Sequence, residues 1–349
     1  MLLRRLFTAA AVAVFISGCR CYDSRRDFDT ALSLWRDGVP AKTLQEYVVD
    51  AADGSSPGYI PPVERIAVFD FDGTLFCETA PTYFDWMLFE HRVLDDAAYC
   101  ATPEQKEAAQ TARTTRVWPG LSAQRERMMA QAWRGMTPEE LSEYVRRFMD
   151  GPQPGFAGMK RGEAFYKPML EVVKFLEDNG WTVYVCSGTD RFVMRPVVED
   201  AMGVPPDRII GSDATIVARR QGEANALDFV FSSGDEAVFG GESIVKNLQM
   251  NKVSAIMREI GARPLLAFGN SMSDASMLNY ALQNRRYKSL GFMLLCDDTV
   301  REYGNEAKAE KMRELCERNG WIPVSMKNDW KTIYGDSRSS TRTPPPTSP

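Results

Sequence analysis

Short apolar runs bounded by turn residues recur along much of the chain. They alternate with longer stretches in which apolar positions fall three and four apart. Ile66-Ala67-Val68-Phe69 is the first such run, and its unbroken apolar character fits a parallel strand buried on both faces. Pro168 opens a helical stretch whose Met169, Val172, Val173 and Leu176 share one face, and Asn179-Gly180 ends it. Trp181 to Cys186 reads as the next strand, residues 208–232 as short β-like pieces with a hairpin, and Val253, Ile256, Met257 and Ile260 as another amphipathic helix. Further strands are expected at Leu265-Leu266-Ala267-Phe268 and from Gly291 to Cys296. The alternation predicts an α/β fold, a doubly wound parallel sheet, in which ligands bind beyond the carboxyl ends of the strands.

Residues 77–164 break this rhythm. They are rich in Ala, Arg, Glu, Met and aromatic residues, and Thr137-Pro138-Glu139-Glu140 looks like a capped helix start. This stretch is read as a helical insertion. Upstream, Leu44, Tyr47 and Val48 fall at helical spacing, and Asp53-Gly54 to Pro62 is turn-rich. The expected division is a leader over 1–19, a helical segment and linker over 20–60, a core built from 61–76 and 165–335, and the insertion over 77–164. The Ser/Thr/Pro-rich residues 336–349 are expected to be disordered.

The leader has its own pattern. Arg4 and Arg5 precede an apolar run from Leu6 to Gly18, shorter than the ~20 residues a membrane-spanning helix needs. It reads as a signal peptide. Its end, Ile16-Ser17-Gly18-Cys19, resembles the lipobox of bacterial lipoproteins. That resemblance implies a lipid on Cys19, a membrane contact through the N-terminus, and a place in the cell envelope on the periplasmic or extracellular face. The alternative is an ordinary secreted protein with an incidental cysteine. Formal net charge is 42 − 47 = −5 with no basic block, which argues against nucleic acid as a partner. With no CxxC pair and one histidine, a structural zinc site is not expected. Cys186, at a strand end, reads as a buried thiol, and disulfide pairing is not legible.

Chemistry collects behind three of the strands. Asp70-Phe71-Asp72-Gly73-Thr74 places two carboxylates on one side of an extended segment. Their repulsion calls for a cation or a shared proton. Mg²⁺, which takes oxygen ligands and leaves positions for phosphate oxygens, would meet that need. Ser187-Gly188-Thr189 offers a hydroxyl and backbone N–H groups to phosphoryl oxygens. Asn270 and Asp274, in Gly269-Asn270-Ser271-Met272-Ser273-Asp274, add oxygen donors. Lys252 can reach the same point and neutralise charge.

Taken together, in this order, these pieces resemble the four motifs of the haloacid dehalogenase (HAD) superfamily over roughly residues 61–330. Asp70 to Thr74 matches motif one, Ser187 motif two, Lys252 motif three, and Gly269 to Asp274 motif four. The spacing between motifs one and two is similar to that of members with a helical cap, such as phosphoserine phosphatase. The resemblance implies that Asp70 is a nucleophile forming an aspartyl-phosphate. Asp72 would be the general acid and base, its backbone carbonyl also on the metal. Ser187, Lys252 and Mg²⁺ would stabilise the transferring phosphoryl group, with Asp70, Asp72, Asn270 and Asp274 as the metal set. Dehalogenases lack the second acid, so dehalogenation is not expected. The function implied is a Mg²⁺-dependent phosphomonoester hydrolase acting on a small phosphorylated metabolite. The rivals are a phosphotransferase or mutase of the same fold and a non-catalytic surface binding lipoprotein.

Several assignments stay open at this level. Motif four usually begins with Asp, whereas this chain has Asn270, so either Asp274 takes more of the metal's load or affinity falls. Lys246 rivals Lys252 as the motif-three lysine. Glu78 is either a substrate contact or a solvated hinge residue. Gly188 is expected at the substrate. Arg195, with Arg191, is either a contact for an anionic substrate or surface arginine. Phe84, Trp86, Phe89 and His91 either line the pocket or fill a helix core.

Overall fold

β1 (Ile66–Phe69) is buried along its whole length, as its unbroken apolar run predicts. The computed structural model describes residues 31–78 and 82–335. The expected leader, Cys19 and the tail from residue 336 lie outside the described residues. Among those described, β1 is joined by β2 (Thr182–Asp190), β3 (Ile209–Ala218), β4 (Ala237–Val245), β5 (Leu266–Gly269), β6 (Leu290–Leu295) and β7 (Ile322–Ser325). The sheet order is β4-β3-β2-β1-β5-β6-β7. Every pairing is parallel except β3 with β4. The chain winds outward from β1 through β2 and β3, then returns to the other side of β1 for β5, β6 and β7. The order therefore reverses between β1 and β5, and a crevice opens there at the strands' carboxyl ends. This is the doubly wound α/β sheet expected from the sequence.

Register across the centre is held by aromatic stacking. Phe69 pairs with Phe268, and Phe268 with Phe292, on three adjacent strands. The rings stack with centroids 4.3 and 4.9 Å apart. Each such pair contributes about 0.5–1.5 kcal/mol beyond area burial. A one-residue slip would turn all three rings to the opposite face, so the stack also sets the level at which Asp70 and Asn270 leave their strands.

Helices cover both faces. Ala67, Phe69, Val183, Val185 and Leu266 share a core with α1 (Val39–Ala52), α6 (Lys167–Asp178) and α7 (Arg191–Met202). Val68, Ala267 and Met293 face α8 (Met250–Ala255), α9 (Ala275–Leu282) and α10 (Glu306–Asn319). Leu44, Tyr47 and Val48 are buried, and Trp35 meets Trp330 edge-on while donating to the Pro168 carbonyl at 3.0 Å. The segment from residue 31 to α1 is thus part of the main core.

The insertion carries α2 (Phe84–Leu94), α3 (Pro103–Thr115), α4 (Ser122–Ala132) and α5 (Pro138–Met149). Thr137 caps α5 in a reciprocal box with Glu140, which satisfies two otherwise orphaned N–H groups. α4 lies against β4, and α5 against α7. Gly135 N–H donates to Phe239 O at 2.8 Å, and Phe239 N–H to Met136 O at 2.9 Å. The insertion is docked on the β3–β4 hairpin by its backbone.

Three expectations are corrected. The hairpin is real, but its second arm is β4, beyond the stretch where it was expected. The helix through Val253 and Ile256 widens into a π-turn over Ile256–Ile260; the extra residue per turn rotates Met257 outward, where it is 58% exposed. Neither α10 nor β7 was anticipated. No helix of the described residues is long and apolar enough to cross a membrane. Cys100, Cys186, Cys296 and Cys316 are free thiols, and Cys186 is buried.

Candidate active site

Phe71 fixes the geometry of the two carboxylates that flank it. Its ring sits among Phe76, Phe84 and Phe165, and its carbonyl accepts from the N–H groups of Thr74, Leu75 and Phe76. With residue 71 anchored inward, Asp70 and Asp72 are turned together toward the crevice. Both line a cavity of ≈ 280 Å³ between the sheet's carboxyl edge and the insertion.

Asp70 is nearly buried, and Lys252 is entirely so. Lys252 Nζ donates to Asp70 Oδ1 at 2.6 Å and to Asp274 Oδ1 at 2.6 Å. Burial pushes the Asp70 carboxyl up to about 7, with Asp274 adding to the rise and Lys252 opposing it. Burial would pull Lys252 down, but Asp274 and Asp70 outweigh it and hold the ammonium well above its ordinary value. Between the two rival lysines, the geometry brings Lys252 to Asp70. Lys246 instead pairs with Glu126 at 3.2 Å, on the cavity's far wall.

Asp274 does not stand where a metal ligand is expected. Its Oδ1 is taken by Lys252, and its Oδ2 accepts from the backbone N–H groups of Asn270 and Ser271, each at 3.0 Å. It does not line the cavity. Gly269 allows this close packing, because a Cβ there would fall 2.5 Å from the Asp274 Cβ. Asp274 thus anchors the lysine and the turn, with both of its oxygens engaged.

Asp72 is held from the next strand. Thr189 Oγ1 donates to Asp72 Oδ2 at 2.6 Å, while Asp72 Oδ1 is buried without a partner. Burial first, then Asp85, drives this carboxyl well above the ordinary range, against the Thr189 bond. A carboxyl whose burial favours its neutral form suits the donation of a proton to a leaving oxygen. Ser187 and Gly188 also line the cavity. Their loop is fixed by Asn247, whose Nδ2 donates to Ser187 O at 3.0 Å, and by Ser212, whose hydroxyl donates to Gly188 O at 2.5 Å.

Asp70, Asp72, Glu78, Ser187, Gly188 and Asn270 therefore meet in one cavity. Arg195 does not: its Nε donates to Pro206 O at 3.0 Å and its guanidinium lies over Phe192. Burying the stem on that ring and tying the head to a carbonyl turns it away from the crevice. Arg191 is paired with Asp213 and Glu259. The cations that do face the cavity are Lys246 and Arg125, the latter 5.3 Å over the Trp86 ring. Sequence reasoning missed Arg125, Thr189's bond, Asp85, Asn247 and Ser212. Of the four aromatic-rich positions on α2, Trp86 lines the cavity, Phe84 and Phe89 are core, and His91 packs on Tyr144 and Phe148.

A divalent cation can be tested against this donor set. Among the described residues no cluster of three or more His, Cys, Asp or Glu is arranged around a metal position. The donors available are the oxygens of Asp70, Asp72 and Asn270. All are hard oxygen donors open to a cavity, a set that suits Mg²⁺ with water or phosphate completing its shell.

A reversing parallel sheet with an aspartate-lined crevice at its switch point places the chain among the doubly wound α/β proteins that bind ligands at the strands' carboxyl ends. The chain belongs to the haloacid dehalogenase-like hydrolase family, whose model matches residues 67–279. Among curated proteins, none matches the chain. Similar solved structures include a conserved, functionally unknown protein from Anaerococcus prevotii DSM 20548, at 12% identity, with 82% of this chain and 91% of that one covered and a TM-score of 0.51. A protein of unknown function from Bordetella pertussis Tohama I is 16% identical, with 75% and 98% covered and a TM-score of 0.48. A phosphoserine phosphohydrolase-like protein from Francisella tularensis subsp. tularensis SCHU S4 is 15% identical, with 74% and 94% covered and a TM-score of 0.38. At these identities the likeness is one of fold.

Proposed function

We propose that this chain is a phosphomonoester hydrolase that works through an aspartyl-phosphate on Asp70. The observation that carries the reading is the division of labour between two neighbouring carboxylates: Asp70 is held by a lysine, and Asp72, whose carboxyl is driven upward by burial, is held by the Thr189 hydroxyl. Lys252 fixes Oδ1 of Asp70, so the second oxygen is the one that meets phosphorus. As that bond forms, the bond from phosphorus to the substrate oxygen breaks, and Asp72 gives its proton to the departing oxygen. Asp72, now a carboxylate, takes a proton from water; the water oxygen attacks phosphorus, the bond to Asp70 breaks, and phosphate leaves. Ser187 and the backbone N–H groups beside it hold the equatorial oxygens. Mg²⁺ held by Asp70, Asp72 and Asn270 would offset charge on the phosphoryl oxygens.

The test is release of inorganic phosphate by the full chain from a panel of small phosphomonoesters, with and without Mg²⁺. Acid quenching should trap a phosphorylated protein, labile at high pH, with the label on Asp70. Phosphate release without any trapped acyl-phosphate would rule out the mechanism. Transfer to an added alcohol in preference to water would assign the chain to the transferases. Substrate-dependent binding with no turnover would make it a binding protein.

We also propose that the enzyme acts in the cell envelope, tethered through a lipid on Cys19. The sequence supports this through Arg4-Arg5, the apolar run and Ile16-Ser17-Gly18-Cys19. Metabolic labelling with a radioactive fatty acid is expected to mark the wild-type chain and to fail in Cys19→Ala. Equal labelling of both would overturn the tether.

A further inference from the structure

We infer that Glu78 is a positioning residue that sets the orientation of the Asn270 amide, so that an uncharged side chain can serve as a cation ligand. This rests on the Mg²⁺-dependent reading above and extends it to a residue that reading leaves without a role. Asn270 Nδ2 donates to Glu78 Oε2 at 2.9 Å, in a buried setting. A carboxylate oxygen only accepts hydrogen bonds, so the NH₂ end of the amide must face Glu78. The amide is planar, and its carbonyl oxygen is therefore turned away from Glu78. Without that fixed acceptor, an amide can present either end with almost the same shape.

Glu78 is itself held from two other elements. Tyr83 Oη donates to Oε1 at 3.0 Å, from the start of the insertion, and Lys308 Nζ of α10 donates to Oε2 at 3.4 Å. The backbone makes room for the pair. Gly73 has φ +76, and a Cβ there would lie 1.9 Å from Asn270 Nδ2 and 2.8 Å from Glu78 Oε2. No side chain fits at position 73 while the Glu78–Asn270 contact exists. The same contact accounts for an amide at 270. An aspartate there would set two carboxylates at hydrogen-bond distance with no proton between them, which is unfavourable.

A positioning role differs from a substrate contact and from a bare charge effect in what it does to Mg²⁺ binding without substrate. The full chain is titrated with MgCl₂ and the rise in Tm is followed, for wild type, E78Q, E78M and E78M/N270D. E78Q and E78M both remove the charge, but only glutamine keeps an acceptor for Asn270 Nδ2. The half-saturating Mg²⁺ concentration should stay within about threefold of wild type in E78Q and rise about tenfold or more in E78M, as for other residues that orient a ligand. Asn270→Asp should restore binding in the E78M background, because a carboxylate has an oxygen on either side and needs no orienting. E78A repeats the comparison if methionine prevents folding. Equal weakening in E78Q and E78M would leave only a charge effect and overturn the inference. Unchanged Mg²⁺ titrations with a raised KM would make Glu78 a substrate contact, also overturning it. A wild type whose Tm ignores Mg²⁺ would overturn the cation reading together with this one, a result distinct from the other two.

Discussion

Asp70→Asn is expected to abolish phosphate release while leaving the fold as stable as wild type or more so. The two effects have separate causes. The amide cannot attack phosphorus, so turnover should fall by on the order of 10⁴-fold or more, as when other covalent nucleophiles are removed. Stability is governed by the buried charge balance instead. Two carboxylates share one lysine inside the protein, and the Asp70 carboxyl is pushed up to about 7, first by burial. Its folded value lies above the unfolded value of about 3.9. The folded state therefore binds more protons than the unfolded state between those limits, and this group makes stability fall as pH rises from about 4 to about 7. Asn removes that limb and leaves Lys252 paired with Asp274 alone. Urea midpoints measured in EDTA at pH 5 and pH 8 should show the variant gaining on wild type at the higher pH. A variant that turns over, or one that loses stability at pH 8, would contradict this account of the site.

The parts of this design legible in the sequence are those written in contiguous residues. β1 and β5 are short apolar runs followed at once by their reactive side chains, so strand, turn and chemistry could be read together. Thr137-Pro138-Glu139-Glu140 announced its helix because a capping box is a local hydrogen-bond pattern. What escaped was set by tertiary packing. α10 is mostly charged, with few buried positions, Ala309, Met312 and Cys316 among them, and β7 is four residues long with a proline. β4 is an edge strand interrupted by Gly240-Gly241 and exposed over much of its outer half.

The misplaced side chains follow the same division. Arg195 stands close to motif two in sequence, but nearness along the chain does not say which face of α7 it occupies. Arg125 and Lys246 lie far apart in sequence and share a wall only because α4 docks on the hairpin that Lys246 ends. Asp274 has the right chemistry for a cation, and only the Lys252 contact together with two backbone N–H groups shows that its oxygens are already in use. Spacing can bring an oxygen donor to the neighbourhood of a site; hydrogen-bond partners decide whether that oxygen is free.

Lys252→Met should be the most damaging single change in the core of the site. Methionine is close to lysine in volume and would fill the space, so the loss is electrostatic. It leaves Asp70 and Asp274 buried and facing each other with no cation between them. Breaking a buried ion pair by deleting one partner costs about 3–5 kcal/mol, which is a large share of a typical domain's stability. Asp70, already pushed up by burial, would respond by holding its proton more tightly in the folded state. Its folded value then lies further above the unfolded one, so the deficit is small near pH 4, grows as pH rises, and levels off only once the folded carboxyl ionises. Activity should vanish as well, because a protonated Asp70 is a poor nucleophile and its Oδ1 has lost its anchor. Lys252→Met with Asp274→Asn, which removes one of the stranded charges, should recover much of the stability at pH 8 and none of the turnover. Chemical denaturation of the two variants across pH 4 to 8 decides it: a deficit that does not depend on pH, or a double variant no more stable than the single one, would mean that Lys252 supports the fold through packing and not through charge.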